Sequence, residues 1–593
     1  MSTVRNVLSV RIALLTTFII LVCIIIISVA TKLLPLWLYI SFSTLLATII
    51  IVSIFLSSKD RCVALTYFFI IALALILWNL YAIATGYNML AFRDSYQEFV
   101  HLRLILSEGH INIGARYPDL IISPGNSAYY PIFPALATIF TLTTGLEPLK
   151  VSILLPLAIA VFTLLSVALF AKELLSDSEA KNTALPLSVL AFAISPNMIV
   201  HSVFYYHREL AFGFYCMLLY FMLRYFSNNL NNTHKLLLIA LTLLLPFTHS
   251  SYPYKFDFFL LDSILLIVLI RMLDGRRLKF ANRMRPPILI FLMLLGMLFL
   301  WNFMFNYPSP VTGGLPIAVR NIIKNLLQPQ LEAKVWEISS FSPMIPEVLA
   351  PQPWIILPRV RSFLLDISLF IVGFLLMYKV IKNKASYIEF LGFIVMASFA
   401  LYMIIGFLSW WDPFIFRTYM FPLIAYSTGI LFGFLMNSKV KIIKFTASVI
   451  IIFLVVMAFL APFGSIYSRQ LYDSAIKYDQ ADFPSPSYIY LREFIAINLI
   501  EGGVFLSDFE GFLTVILPLN QLGQIKSLIQ YYNRPDTYIF EFVGLRFGAG
   551  IGDINYSFLE HISPEMEDIR ANVGHDYDRV VDAKAFVVHY KPL

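Results

Sequence analysis

The stretch RMLDGRRLKFANRMRPPILIFLMLLGMLFLWNFMF, residues 271–305, decides the fold class. Its first half carries Arg271, Arg276, Arg277, Lys279, Arg283 and Arg285, and from Pro286 to Phe305 no residue is charged. An apolar run of ~20 residues matches the ~30 Å hydrocarbon core of a bilayer, and a Lys/Arg cluster beside it marks the cytoplasmic side. The same pairing of apolar run and basic loop recurs along the chain. Of its 593 residues 59% are hydrophobic and 13% charged, with a mean hydropathy of +0.78. Soluble domains average about 25% charged residues, so a water-soluble fold is excluded. The net charge of +7 points to no nucleic-acid partner, because the basic residues sit in short loops between apolar runs. Cys23, Cys62 and Cys216 lie in or beside those runs, so no disulfide framework is expected. The first run lacks a small-residue cleavage site and reads as a retained helix.

Predicted membrane helices cover 12–30, 36–57, 63–85, 149–171, 184–202, 209–226, 235–249, 256–273, 286–305, 363–380, 387–408, 418–436 and 444–463, about thirteen in all. With Arg5 and Arg11 in the cytoplasm, every second loop should be basic. Lys59 and Arg61, Lys172 and Lys181, Lys235, the 271–285 cluster, Lys379, Lys382 and Lys384, and Lys439, Lys441 and Lys444 all fall on that side. The amino terminus is therefore expected inside and the carboxy terminus outside. The segments 86–148 and 306–362, the turns 203–208, 250–255 and 409–417, and everything after 464 are expected outside. Residues 1–62 read as an extra helix pair and 63–463 as the main membrane module. Residues 464–593 read as a small exoplasmic α/β domain, in which SPSYIYLREFIAINLI is an amphipathic helix and GGVFLSD and AKAFVVHY are strands.

The outer segments hold the chemistry. In GYNMLAFRDSYQEFVHLRLILSEGHINIGARYPDL, residues 86–120, the groups Arg93, Asp94, Glu98, His101 and Arg103 gather just past an apolar run. Asp94 followed by Gln97 fits a capping box opening a surface helix to about Ser107, with Tyr96, Phe99, Arg103 and Leu106 on an interfacial face. FYYHREL adds His207, Arg208 and Glu209; FTHSSYPYKFD adds His249, Tyr254, Lys255 and Asp257; SWWDPFIFRTYMFPL adds Asp412 and Arg417. Trp410 and Trp411 read as interface anchors, and single Lys or Arg residues at helix ends as snorkelling groups. Glu209 and Asp257 are harder to explain so, since a carboxylate at the start of an apolar run is costly unless paired or in a watery cavity. Converging turns of this kind predict a polar cavity at the exoplasmic interface. There carboxylates can take a proton from an attacking hydroxyl and cations can hold a departing phosphate. Asp262 and Asp366 are the main intramembrane exceptions and read as packing or near-interface residues.

These segments resemble the GT-C superfamily of polytopic glycosyltransferases, and most of all its branch of protein O-mannosyltransferases and lipid A aminoarabinose transferases. The resemblance spans roughly 63–440. It rests on Asp94 in FRDSYQEF, then ARYPDL, YYPIFPALATIFTLTTGLEPL, HREL and FRTYMFPLIAY. It implies a multi-pass enzyme of the cell membrane that moves a sugar from a polyprenyl-phosphate donor to a lipid, glycan or protein acceptor, inverting the anomeric centre. Asp94 would be the base or the acceptor-orienting carboxylate, and Glu209 a second catalytic acid. Arg93, His207, Arg208, His249, Lys255, Asp257, Arg359, Arg361 and Arg417 would meet the substrate and its phosphate. No cofactor is implied as required; a divalent cation (Mn or Mg), if used, would fall to Asp94 and Glu209.

The chain departs from the family in places. His-Arg-Glu replaces the paired Asp-x-Asp of oligosaccharyltransferase subunits, and WWDP precedes a membrane helix where those subunits carry WWDYG after their last one. Transfer of a whole lipid-linked glycan to protein is therefore the runner-up. A lipid-linked glycan flippase is the rival of another class; it would put charges at mid-membrane, and no internal repeat supports it.

Overall fold

The computed structural model describes residues 93–113, 129–176, 181–195, 205–249, 251–273, 284–305, 352–382, 384–408 and 413–455, and strands between 504 and 591. The predicted spans 12–30, 36–57 and 63–85 lie outside the described residues. So do Asp412, Trp410, Trp411 and the loop 306–350.

The helices are α1 (Arg93–Glu108), α2 (Ile132–Thr144), α3 (Pro148–Leu174), α4 (Lys181–Ala193), α5 (His207–Phe226), α6 (Asn232–Leu244), α7 (Ser251–Leu273), α8 (Ile288–Phe305), α9 (Gln352–Ile381), α10 (Tyr387–Leu408) and α11 (Pro413–Asn437). Residues 441–455 are also helical. Among the described residues four stretches are long and apolar enough to cross a membrane: Pro148–Leu174, His207–Phe226, Phe363–Ile381 and Met420–Asn437.

Local chemistry sets the ends. Asn231 caps α6, its side chain accepting from the backbone of His234 at 2.8 Å. Thus the asparagine of one glycosylation sequon serves as a helix cap. Gly145 closes α2 with φ 68°, its N–H reaching Thr141 O at 2.9 Å. Ser386 and Glu389 form a reciprocal capping box at α10: Ser386 N–H donates to Glu389 Oε2 at 2.9 Å, and Glu389 N–H donates to Ser386 Oγ at 3.2 Å.

Two predicted boundaries move for physical reasons. Helix α4 stops at Ala193, with a turn at 194–195 before Pro196, because the residue before a proline disfavours helical geometry even where the apolar run continues. Helix α9 starts at Gln352 instead of 363, since Trp354 to Leu357 extend it past Arg359 and Arg361.

Helix α1 differs more deeply. Asp94 lies inside its first turn and is not its N-cap. The helix is also no surface helix, because Glu98, Phe99, Val100, His101 and Leu102 are all buried. Ser95, Glu98 and His101 turn inward, and Glu98 meets His207.

The tightest seam joins α4 to α11, where Gly429 and Gly433 bring the backbones together. A Cβ at Gly429 would lie 2.5 Å from Ala184 O and 2.7 Å from Ser188 N, the close small-residue approach that membrane helices use. Hydroxyl pairs stitch the interior, with Ser368 and Thr428 at 2.6 Å and Ser263 and Ser398 at 3.3 Å.

Beyond the helices, the strands β1 (Val504–Ser507), β2 (Ile525–Ser527), β3 (Thr537–Phe542), β4 (Asp578–Ala583) and β5 (Phe586–Lys591) form one sheet. Its order is β2-β1-β3-β5-β4, with β1 parallel to β2 and β3, and β5 antiparallel to β3 and β4.

Candidate active site at one end of the helices

The two ends of the helical part differ in chemistry. At one end the last turn of α5 meets the first turns of α8 and α10: Tyr387 Oη donates to Phe226 O at 2.6 Å, and Tyr225 Oη donates to Pro286 O at 3.4 Å. Arg271 there donates to Met284 O, and Lys379 pairs with Glu389. The opposite end of α5 begins at His207, about 30 Å away for a helix of 20 residues.

At that opposite end four separate stretches of chain converge. From the middle of α1 comes Glu98, 0% exposed, which accepts a hydrogen bond from Nδ1 of His207, the first residue of α5. The two are 109 residues apart in sequence, and His207 is 2% exposed. Tyr130, just before α2, stacks on His207 with centroids 4.8 Å apart. Tyr206 approaches the same ring at 4.1 Å and His249, from the turn before α7, at 4.9 Å. Tyr252 in the first turn of α7 meets His249 edge-on at 5.4 Å. Three aromatic or imidazole neighbours thus confine one imidazole, and a carboxylate holds its Nδ1.

Beside this pair, Arg208 directs Nε and Nη2 to Glu209 Oε1, each at 3.3 Å. The Glu209 side chain is fully buried, whereas that of Arg208 remains 28% exposed. An arginine that pairs with a buried acid and stays partly exposed has the chemistry to hold a second anion. His101, one turn on from Glu98, is buried, and burial holds its pKa below the ordinary 6.5; Glu98 and Glu108 pull against that and His207 adds to it. Burial likewise pushes the phenol of Tyr205 up. Asp257 is 6% exposed, and neither of its oxygens has a hydrogen-bond partner among the described residues. A buried carboxyl left so is costly unless a ligand or water completes it.

Of the residues singled out in the sequence, His207, Arg208, Glu209 and His249 are gathered at this end, and Asp257 lies two turns into α7. Asp94 and Arg93 belong to the first turn of α1, Lys255 to that of α7, Arg359 and Arg361 to α9 and Arg417 to α11. The positions of those six side chains lie outside the described residues. Glu98, His101 and Tyr130 were not assigned a role from sequence. The first two stood in the ionisable cluster of residues 93–103, but nothing local signals that Glu98 pairs with a residue so far along the chain. Among the described residues no three His, Cys, Asp or Glu side chains are set to hold one metal ion.

No family model matches this chain, and no curated protein matches it. Among solved structures, the chain is similar to the Archaeoglobus fulgidus oligosaccharyltransferase in its apo form, at 13% identity and a TM-score of 0.45, covering 82% of this chain and 70% of that one. It is also similar to ArnT from Cupriavidus metallidurans. The apo state aligns at 11% identity and a TM-score of 0.48, covering 88% of this chain and 96% of that one. The form bound to undecaprenyl phosphate aligns at 10% identity and a TM-score of 0.47, covering 88% and 97%.

Proposed function

We infer that the protein is a membrane glycosyltransferase that moves a sugar from a polyprenyl-phosphate donor to a lipid, glycan or protein acceptor at the exoplasmic face. The observation that carries this reading is the largely buried set of ionisable groups, most of them paired, at one end of the helices. Glu98 with His207, Arg208 with Glu209, and Asp257 are brought there by stretches of chain far apart in sequence. Groups buried at such cost are poor devices for stability alone, since apolar residues of equal volume often serve as well. They suit a reaction in which an acid or base meets a phosphate that must be held as it departs.

On this reading the acceptor hydroxyl attacks the anomeric carbon from the face opposite the phosphate, and the lipid phosphate leaves with the bonding electrons. Asp94 meets the acceptor, as its base or as the carboxylate that orients it, and Glu209 is the second acid. Arg208, with Arg93, Lys255, Arg359, Arg361 and Arg417, surrounds the phosphate. Helix ends rich in Lys and Arg about 30 Å from the site support an orientation with the site outside.

The test uses purified full-length protein in lipid vesicles with radiolabelled polyprenyl-phosphate hexoses. Label leaving the lipid for an acceptor or water, and falling about 100-fold or more with Asp94→Asn, is the expected result. Label that only crosses the bilayer would favour the flippase. Transfer that needs the lipid-linked donor to carry a whole oligosaccharide would favour the oligosaccharyltransferase reading.

A further inference from the structure

The roles above give His207 no more than a place in substrate contact and Glu98 none. We propose that Glu98 is a positioning residue that fixes His207 as the group receiving the acceptor's proton, which leaves Asp94 to orient the acceptor. This rests on the sugar-transfer reading.

A carboxylate only accepts, so the Glu98 bond places the proton of a neutral ring on Nδ1 and the lone pair on Nε2. Among the described residues no hydrogen bond reaches Nε2 of His207. The ring cannot swing to present another atom, because Tyr130, Tyr206 and His249 crowd it at 4.8, 4.1 and 4.9 Å. The second oxygen of Glu98 has no partner among the described residues, so the imidazole is the one group this carboxylate is seen to hold. His249 against the ring at 4.9 Å, His101 on the same helix as Glu98, and Arg208 and Glu209 beside His207 are further ionisable groups nearby.

In the step itself the acceptor O–H bond breaks and its oxygen bonds to the anomeric carbon. The bond from that carbon to the phosphate oxygen breaks, and its electron pair leaves with the lipid phosphate. The acceptor's proton goes to Nε2, and the imidazolium so formed faces the negative carboxyl of Glu98, which stabilises it as the carboxylate of a hydrolase triad does.

The experiment compares wild type, Glu98→Gln, His207→Gln and the double variant, in nanodiscs with a panel of labelled polyprenyl-phosphate hexoses. Rates are normalised to the folded, monodisperse fraction. Each single variant should lose about 100-fold or more in kcat, while KM for the donor stays within about threefold. The double variant should be no slower than His207→Gln, and Glu98→Asp should recover part of the loss. Losses that multiply in the double variant, or a Glu98→Gln effect confined to KM, would overturn the proposal. A wild type that moves no label would sink the sugar-transfer reading and this role with it; an active wild type matched by Glu98→Gln would sink this role alone.

Discussion

His101 gives the residue scale a clean readout. Burial holds its imidazole below the ordinary 6.5, so the folded protein prefers the neutral ring. The unfolded chain then binds more protons just below that value. Stability from this group is complete above about pH 6.5 and falls as the pH drops. His101→Gln should flatten the fall in melting temperature between about pH 7.5 and about pH 5.5, relative to wild type. Equal slopes in the two proteins would contradict it. Residue-level legibility was uneven for a physical reason. His207, Arg208 and Glu209 stood out because charge at the start of an apolar run is conspicuous. Glu98 and His101 were visible as part of a polar stretch, yet their burial depends on contacts that no local pattern encodes.

At the scale of elements, the seam between α4 and α11 makes the sharpest claim. Gly429→Ala would push a methyl group into the backbone of α4, and overpacking of this kind costs about 1–3 kcal/mol. Gly296 in α8 has nothing within 4 Å of where its Cβ would sit, so Gly296→Ala should be neutral or stabilising by up to about 1 kcal/mol. Denaturant or thermal unfolding of both variants in the same detergent checks the contrast; similar effects at the two glycines would contradict the packing. Elements themselves were legible wherever apolar runs met bilayer length, as for α3, α5, α8, α10 and α11. Their ends were not, because hydropathy does not register the proline that stops α4 or the apolar turn that extends α9. Helix α2 fell inside a segment read as an outer loop. At 13 residues it is too short for a span, and Ile139 and Leu142 stay exposed on it.

Over the whole molecule, the account depends on a division of labour between two helix ends about 30 Å apart. One end gathers Arg271, Lys379 and the backbone contacts of α5, α8 and α10. The other gathers the paired acids, imidazoles and arginine. The alternation of basic loops along the sequence anticipates such a division, whereas the pairing inside the site needed the fold. A cryo-electron microscopy structure of the full chain with a polyprenyl phosphate is the most direct test. The account predicts phosphate density within hydrogen-bond reach of Arg208 at the first turn of α5, with the lipid tail running along the helices. Phosphate density at the Arg271–Lys379 end, or none beside Arg208 at saturating lipid, would contradict it.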